Sequence, residues 1–217
     1  MRIKAVLLDM DGTVLYTLPD LHLALNMALA DFSLPPITLD DTRRFVGNGI
    51  RRLVEQAVPA GTDPAAVQGV IEAFHGYYAV HSNDTTAPYD GIPEMLADLR
   101  AKGIKTAIVS NKPDYGVQAL AKAHFSDTVD FSIGQQEGIP RKPAPDMAYR
   151  ALEALGVTAE QAVYVGDSES DILTARHAQM PGILVTWGFR DRQTLTENGA
   201  EYLIDSPADL YPLLQTL

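Results

Sequence analysis

Apolar positions along this chain follow two periods. Short runs rich in β-branched and apolar residues predict buried strands at Lys4–Leu8, Lys105–Val109, Val129–Ile133, Ala162–Val165, Ile183–Thr186 and Tyr202–Ile204. Between most of them the apolar residues recur at helical spacing. One helix is predicted from Pro93, with Leu96 and Leu99 on one face and Gly103 just past its end. Others run from about Pro113 to His124, and from about Pro145 to Leu155 with Gly156 as the stop. A further helix follows Ser168 and contains Ile172, Leu173 and Ala175, and the last holds Leu210, Leu213 and Leu214. Strands alternating with helices predict an α/β fold with a doubly wound, Rossmann-like parallel sheet.

One interval breaks the alternation. From Leu18 to Thr86 the periodicity is helical throughout. Pro19 suits a first helical turn, and Leu21, Leu25, Leu29 and Phe32 form a stripe. Leu34–Pro36 breaks the chain, and Ile50, Leu53, Val54 and Ala57 form a second stripe. Thr62-Asp63-Pro64 opens a third helix, with Val67, Val70, Ile71, Phe74 and Tyr78 inward. The expected organisation is therefore an α/β catalytic core of residues 1–16 and 87–217, with an all-helical cap domain of residues 17–86 inserted after the first strand. Its hinges are expected near Tyr16–Leu18 and Ala87–Gly91.

Composition narrows the chemistry. The 217 residues are 46% hydrophobic, enough for a sizeable core, and the formal net charge is −11. That charge argues against nucleic acid and against an anionic membrane surface as partners. A small anionic substrate stays possible where positive charge is concentrated locally. The chain has no Cys, which excludes disulfides, thiolate catalysis and thiolate metal sites. The N-terminal apolar stretch is too short for a signal-peptide core, and no later segment is long and apolar enough to span a bilayer, so a cytoplasmic protein is expected.

In an open parallel sheet, ligands bind at the carboxyl ends of the strands. The first strand ends on Asp9, with Asp11, Gly12 and Thr13 in the loop. The second is expected to end on Ser110-Asn111, and the fourth on Gly166-Asp167, with Asp171 one helical turn later. Lys142 lies in the loop after the third strand. Four acids at one edge repel and raise one another's pKa values. A divalent cation resolves this, and Mg²⁺ prefers a few carboxylates together with phosphate oxygens. A carboxylate can then attack phosphorus, and a second acid can protonate the leaving oxygen and later activate water. Lys142, Ser110 and backbone N–H groups after Asp9 would hold phosphoryl oxygens, and Gly12 would let the backbone approach them closely. Each motif also has a simpler reading. Asp9-x-Asp11-Gly12 could be a turn, Ser110-Asn111 a helix cap, Asp167 and Asp171 helix N-terminal acids, and Lys142 a solvated loop residue.

Asp9–Thr13 (DMDGT), Ser110-Asn111, Lys142 in KPAP and Gly166–Asp171 (GDSESD) resemble, in order, the four motifs of the haloacid-dehalogenase-like superfamily. Within it, TLPDLHLALNMALA, FVGNGIRRLVEQAV and SNKP resemble bacterial phosphoglycolate phosphatases. The resemblance implies Asp9 as nucleophile and Asp11 as general acid and base. It implies phosphoryl binding by Ser110 and Lys142, with Gly12 and Asn111 beside them. It also implies Mg²⁺ held by Asp9, the Asp11 carbonyl and Asp167, with Asp171 as a ligand or its support. Tyr16 departs from the pattern, standing where the family usually has an acid.

The expected function is a Mg²⁺-dependent phosphomonoesterase acting on a small phosphorylated metabolite, with 2-phosphoglycolate the first candidate. A phosphomutase or pyrophosphatase on the same scaffold, and a phospho-accepting signalling domain, are the alternatives. Monomer and homodimer both remain open. In the cap, FVGNGIRRL sets Asn48, Gly49 and Arg51 at the start of a helix, a chemistry suited to a substrate carboxylate. The bland alternative for Arg51 is a surface pair with Glu55 at i,i+4.

Overall fold

The computed structural model describes residues 3–217. Met1 and Arg2, which the sequence pattern assigns to the core, lie outside the described residues. In chain order the elements are β1 (Ala5–Leu8), β2 (Leu15–Tyr16), α1 (Leu18–Asp31), α2 (Leu39–Phe45), α3 (Gly49–Ala57) and α4 (Pro64–His81). They continue with β3 (Ala87–Pro88), α5 (Ile92–Ala101), β4 (Lys105–Pro113), α6 (Asp114–Phe125), β5 (Phe131–Gln135) and α7 (Asp146–Leu155). The last are β6 (Ala162–Gly166), α8 (Glu169–His177), β7 (Gly182–Val185), α9 (Arg192–Glu197), β8 (Tyr202–Ile204) and α10 (Leu210–Leu214). The chain divides into two compact units. One is the chain up to Leu15 together with Pro88–Leu217, and the other is Tyr16–Ala87.

In the first unit six strands form one sheet in the order β5-β4-β1-β6-β7-β8. All neighbours in it are parallel, so both faces must be covered by helices. Alternation divides the side chains between two cores. Val6, Leu8, Ile108, Val163, Val165, Ile183 and Val185 pack with Leu96 and Leu99 of α5, Val117 and Leu120 of α6, and Leu210 of α10. Ala5, Leu7, Ala107, Val109 and Tyr164 pack with Met147, Ala151 and Leu155 of α7 and Ala175 of α8. Register aligns Leu8 with Ile108 on one side and Val165 on the other, so the carboxyl ends of β1, β4 and β6 meet at one edge. The strand order reverses around β1, and a crevice at such a switch point is the expected binding place in this architecture.

Several boundaries differ from those the sequence predicts. β4 does not end at Val109 but continues to Pro113, with its register against β5 shifting between those residues. Ser110 and Asn111 therefore lie within an irregular strand end, and neither supplies a cap to α6, which has Pro113 at its N-cap. Val129 precedes β5 because its N–H still bonds Phe125 O at the end of α6. The helix α9 has no signature in the sequence, because RQTLTE buries only Leu195 and so carries no apolar stripe.

In the second unit, α1 and α4 pack together through Leu21, Leu25 and Leu29 and through Val70, Ile71, Phe74 and Tyr78. The Phe74 and Tyr78 rings stack at 5.3 Å. Asp63 caps α4 by accepting from Ala65 N at 2.7 Å, with Pro64 in the first turn. The short polar α2 has no apolar stripe of its own within the helical interval. It starts on a reciprocal cap between Thr38 and Asp41 and buries only Thr42. Phe32, expected in the buried stripe, stands beyond the end of α1 and is 38% exposed. Val67 is half-buried rather than inward.

Candidate active site

The carboxylates that end β1 and β6 are both buried, and each is held by a local device. Asp9 Oδ1 accepts from Met10 N at 2.7 Å and pairs with Lys142 Nζ at 2.9 Å. The loop after it closes tightly, with Leu15 N bonding Met10 O and Gly12 N bonding Leu15 O, both at 3.0 Å. Gly12 has φ +83°, and a Cβ there would come within 2.8 Å of the Asp167 carboxyl carbon and 3.0 Å of the Phe189 ring. Glycine is thus required both by backbone conformation and by the approach of a second acid. Asp167 Oδ2 accepts from Phe189 N at 2.7 Å, and Thr13 Oγ1 donates to Oδ1 at 3.4 Å.

Asp171 opens α8 and performs several tasks. Its Oδ2 accepts from Asp167 N and Ser168 N, both at 3.1 Å, and from Ser168 Oγ at 2.6 Å. Its Oδ1 pairs with Lys142 Nζ at 2.8 Å. The helix-start reading of Asp171 is therefore part of its role, and the reading of Lys142 as a solvated loop residue is overturned. The Lys142 side chain is 1% exposed and bridges Asp9 and Asp171. Asn111 Nδ2 donates to Lys142 O at 3.1 Å, and Ser110 Oγ accepts from Lys112 N at 3.3 Å.

Burial pushes Asp9 up to about 7, with Asp171 and Asp11 adding to the rise against the pull of Lys142. Burial likewise holds Asp167 well above the usual carboxylate range, with Asp171 and Asp9 adding to it, against the Phe189 N–H and Arg190. Burial opposes the Lys142 charge, but Asp171 and Asp9 outweigh it and hold that pKa well above the ordinary value. Carboxylate oxygens of Asp9, Asp167 and Asp171 lie within 4.8 Å of one another. This set of hard oxygen donors, with two of its acids strained toward protonation, fits a divalent cation.

Asp11 is not in that cluster. Its Oδ1 pairs instead with Lys112 Nζ at 2.9 Å, and the lysine side chain is 2% exposed. Sequence reasoning missed Lys112, although it sits in SNKP. The signal was the continuation of β4, which carries the lysine inward beside Asp11 rather than out into a helix cap.

Asn48, Gly49 and Arg51 lie at the start of α3 in the helical unit. Asn48 holds the N-cap position without a side-chain capping bond, and Gly49 has φ +79°. Arg51 does not pair with Glu55. Its guanidinium donates to Gln68 Oε1 of α4 at 2.8 Å, and Arg52 stands 3.8 Å from Glu55 instead.

Residues 3–179 match a family model described as haloacid dehalogenase-like hydrolase. The chain belongs to the haloacid dehalogenase-like hydrolases. It is 35% identical over 206 residues to phosphoglycolate phosphatase of Caulobacter vibrioides, covering 93% of this chain and 86% of that one. It is 36% identical over 211 residues to the enzyme of the same name from Xanthomonas campestris pv. campestris, covering 96% and 95%. A crystal structure from Lactobacillus delbrueckii subsp. bulgaricus, provisionally named a phosphoglycolate phosphatase, superposes with a TM-score of 0.93 at 37% identity over 99% of both chains. With such kinship over nearly its whole length, this hydrolase is a phosphatase. Among the described residues no helix is long and apolar enough to cross a membrane.

Proposed function

We propose that the enzyme hydrolyses small phosphomonoesters through a phosphorylated Asp9, with Mg²⁺ as cofactor and 2-phosphoglycolate as the first candidate substrate. The observation that carries this reading is the state of Asp9. It is a buried carboxylate whose Oδ1 is fixed by Lys142 and Met10 N, beside an independent acid, Asp11.

An Asp9 oxygen attacks phosphorus while Asp11 gives a proton to the departing alcohol oxygen. Asp11 then takes a proton from water, the water oxygen attacks the phosphoryl group, and Asp9 leaves as a carboxylate with release of inorganic phosphate. Lys142, Ser110 and Asn111 bind the phosphoryl oxygens, and Gly12, whose N–H already donates to Leu15 O, contributes by having no side chain where the backbone approaches them. Asp9, Asp167, Asp171 and the Asp11 carbonyl would hold Mg²⁺, which supplies charge neutralisation between the acids and the phosphoryl group. Lys112 orients the Asp11 carboxylate beside the nucleophile. Asp171 keeps Lys142 aimed at Asp9.

We assign recognition of the substrate carboxylate to Asn48, Gly49 and Arg51, on the chemistry of a guanidinium beside a helix N-terminus. The names of the relatives support 2-phosphoglycolate. A cytoplasmic setting goes with a small, highly charged metabolite. The test is phosphate release, with and without Mg²⁺, from 2-phosphoglycolate, sugar phosphates, nucleotides and pyrophosphate. The highest kcat/KM is expected on 2-phosphoglycolate. Transfer of the phosphoryl group to a second substrate hydroxyl without phosphate release would replace this reading with a mutase, and preference for pyrophosphate with a pyrophosphatase.

A further inference from the structure

Tyr164 is one of the largest fully buried side chains, 1% exposed, and the reaction above gives it no task. It stands in β6 beside Leu7 of β1. Its hydroxyl reaches past β1 and donates to Val109 O of β4 at 3.1 Å. Val109 is the last residue of β4 in regular register with β5 before the shift that runs to Pro113. The hydroxyl therefore pins the backbone where the irregular segment carrying Ser110 and Asn111 begins. A buried tyrosine hydroxyl needs a partner, but a partner on its own strand or helix would have served equally well. Lys142 Nζ lies 5.6 Å from the centroid of the same ring, and the ammonium also acts on the hydroxyl. That is within the range at which a ring face attracts a cation, and desolvation strengthens the attraction.

One side chain thus touches two segments far apart in sequence, and both belong to the phosphoryl-binding set. We propose that Tyr164 is a positioning residue for phosphoryl binding. The ring steadies the Lys142 ammonium, and the hydroxyl steadies the strand end that presents Ser110 and Asn111. This rests on the reading of Lys142, Ser110 and Asn111 as phosphoryl ligands. A tyrosine that only filled the core would affect melting temperature and leave phosphate affinity unchanged.

The test is direct binding of inorganic phosphate to the Mg²⁺-loaded protein, followed by calorimetry, for wild type, Tyr164→Phe and Tyr164→Leu. Tyr164→Phe keeps the ring and loses the hydroxyl, and should raise the phosphate dissociation constant about fivefold. Tyr164→Leu loses both, and should raise it about thirtyfold. Mg²⁺ affinity, titrated separately, should stay as in wild type in Tyr164→Phe. The graded partial rescue by phenylalanine separates the share of the ring from that of the hydroxyl. Should the leucine variant fail to fold, the phenylalanine variant decides alone. Equal phosphate binding by wild type and Tyr164→Phe overturns the positioning role while leaving the phosphatase reading intact. A wild-type protein that neither binds phosphate nor releases it from any phosphomonoester overturns both.

Discussion

Asp20 and Asp9 are both buried aspartates, and the contrast between their surroundings separates structure from chemistry. Asp20 lies in the first turn of α1 in the helical unit, 1% exposed. Its Oδ1 accepts from Thr85 Oγ1 at 2.6 Å and Thr85 N at 3.1 Å, and its Oδ2 from Thr86 Oγ1 at 2.7 Å and Thr86 N at 2.9 Å. Burial alone would raise its pKa, but these hydrogen bonds from Thr85 and Thr86 outweigh it and lower the pKa. All four donors are uncharged, so the carboxylate is satisfied by the fold itself. Asp9 has one backbone N–H and a lysine shared with Asp171, and two further acids raise its pKa. A carboxylate that the fold satisfies ties segments together. A group of carboxylates that the fold leaves short of positive charge has the electrostatics of a functional site, and the proposed function gives that group a cation and a phosphoryl group.

The largest expected effect lies on the unsatisfied side. Asp9→Asn should lower kcat by about a thousandfold or more, equivalent to about 4 kcal/mol of barrier, with the circular dichroism spectrum unchanged. Near-normal turnover in protein free of deamidation would remove Asp9 from the reaction. Chelation should abolish activity, and added Mg²⁺ should restore it. Mg²⁺ at a hundred times its dissociation constant should also stabilise the wild-type protein by about 2.7 kcal/mol and leave Asp167→Ala nearly unmoved. Equal stabilisation of both would contradict the assignment of Asp167 to the cation.

On the satisfied side the effect is on stability. Asp20→Ala should destabilise by about 3 kcal/mol, because it strands two hydroxyls and two backbone N–H groups. The two aspartates should also respond to pH with opposite sign. Asp20 has a folded pKa below its unfolded value. Its contribution is complete above the ordinary carboxylate pKa of about 4 and is lost as pH falls through the folded value. Asp20→Asn should flatten that acid limb. Asp9, raised to about 7 without a cation, binds a proton in the native state that the unfolded chain has released. Chelator-treated protein should therefore lose stability as pH rises from about 4 to about 7, and Asp9→Asn should reduce that loss. Urea titrations across this range read both slopes.

The smallest effect is assigned to the helical unit. Arg51→Ala should raise KM for 2-phosphoglycolate about tenfold and leave a bulky aryl phosphate nearly unaltered. Equal changes on both substrates would leave Arg51 with only its Gln68 contact.

The six strands were legible because a parallel sheet buried on both faces leaves short, continuous apolar runs. Asp9, Lys142 and Asp167 could be placed because each falls at a strand end or in the loop beyond one, and Asp171 because it follows Asp167 by one helical turn. What escaped was partnership across long separations. Asp20 carried no signal in the sequence, since nothing near it names Thr85 and Thr86. Lys112 is one position past a motif read as a strand end, and its buried pairing with Asp11 depends on β4 continuing. Tyr164 looked like any core residue of a buried strand, because its contacts lie on β4 and in the loop before α7. The short helices α2 and α9 carry one buried side chain each, too few to show a period.

The central claim is that Asp9 becomes phosphorylated during turnover. The most direct measurement is acid quenching of Asp11→Asn within a single turnover of an activated aryl phosphate, whose departure needs no acid, with Mg²⁺ present, followed by mass spectrometry of its peptides. Removing the group that activates water should let the intermediate accumulate, so the peptide containing Asp9 is expected to carry one phosphoryl group. Product formed in that turnover with the Asp9 peptide unmodified, or with the phosphoryl group on another residue, would contradict the account.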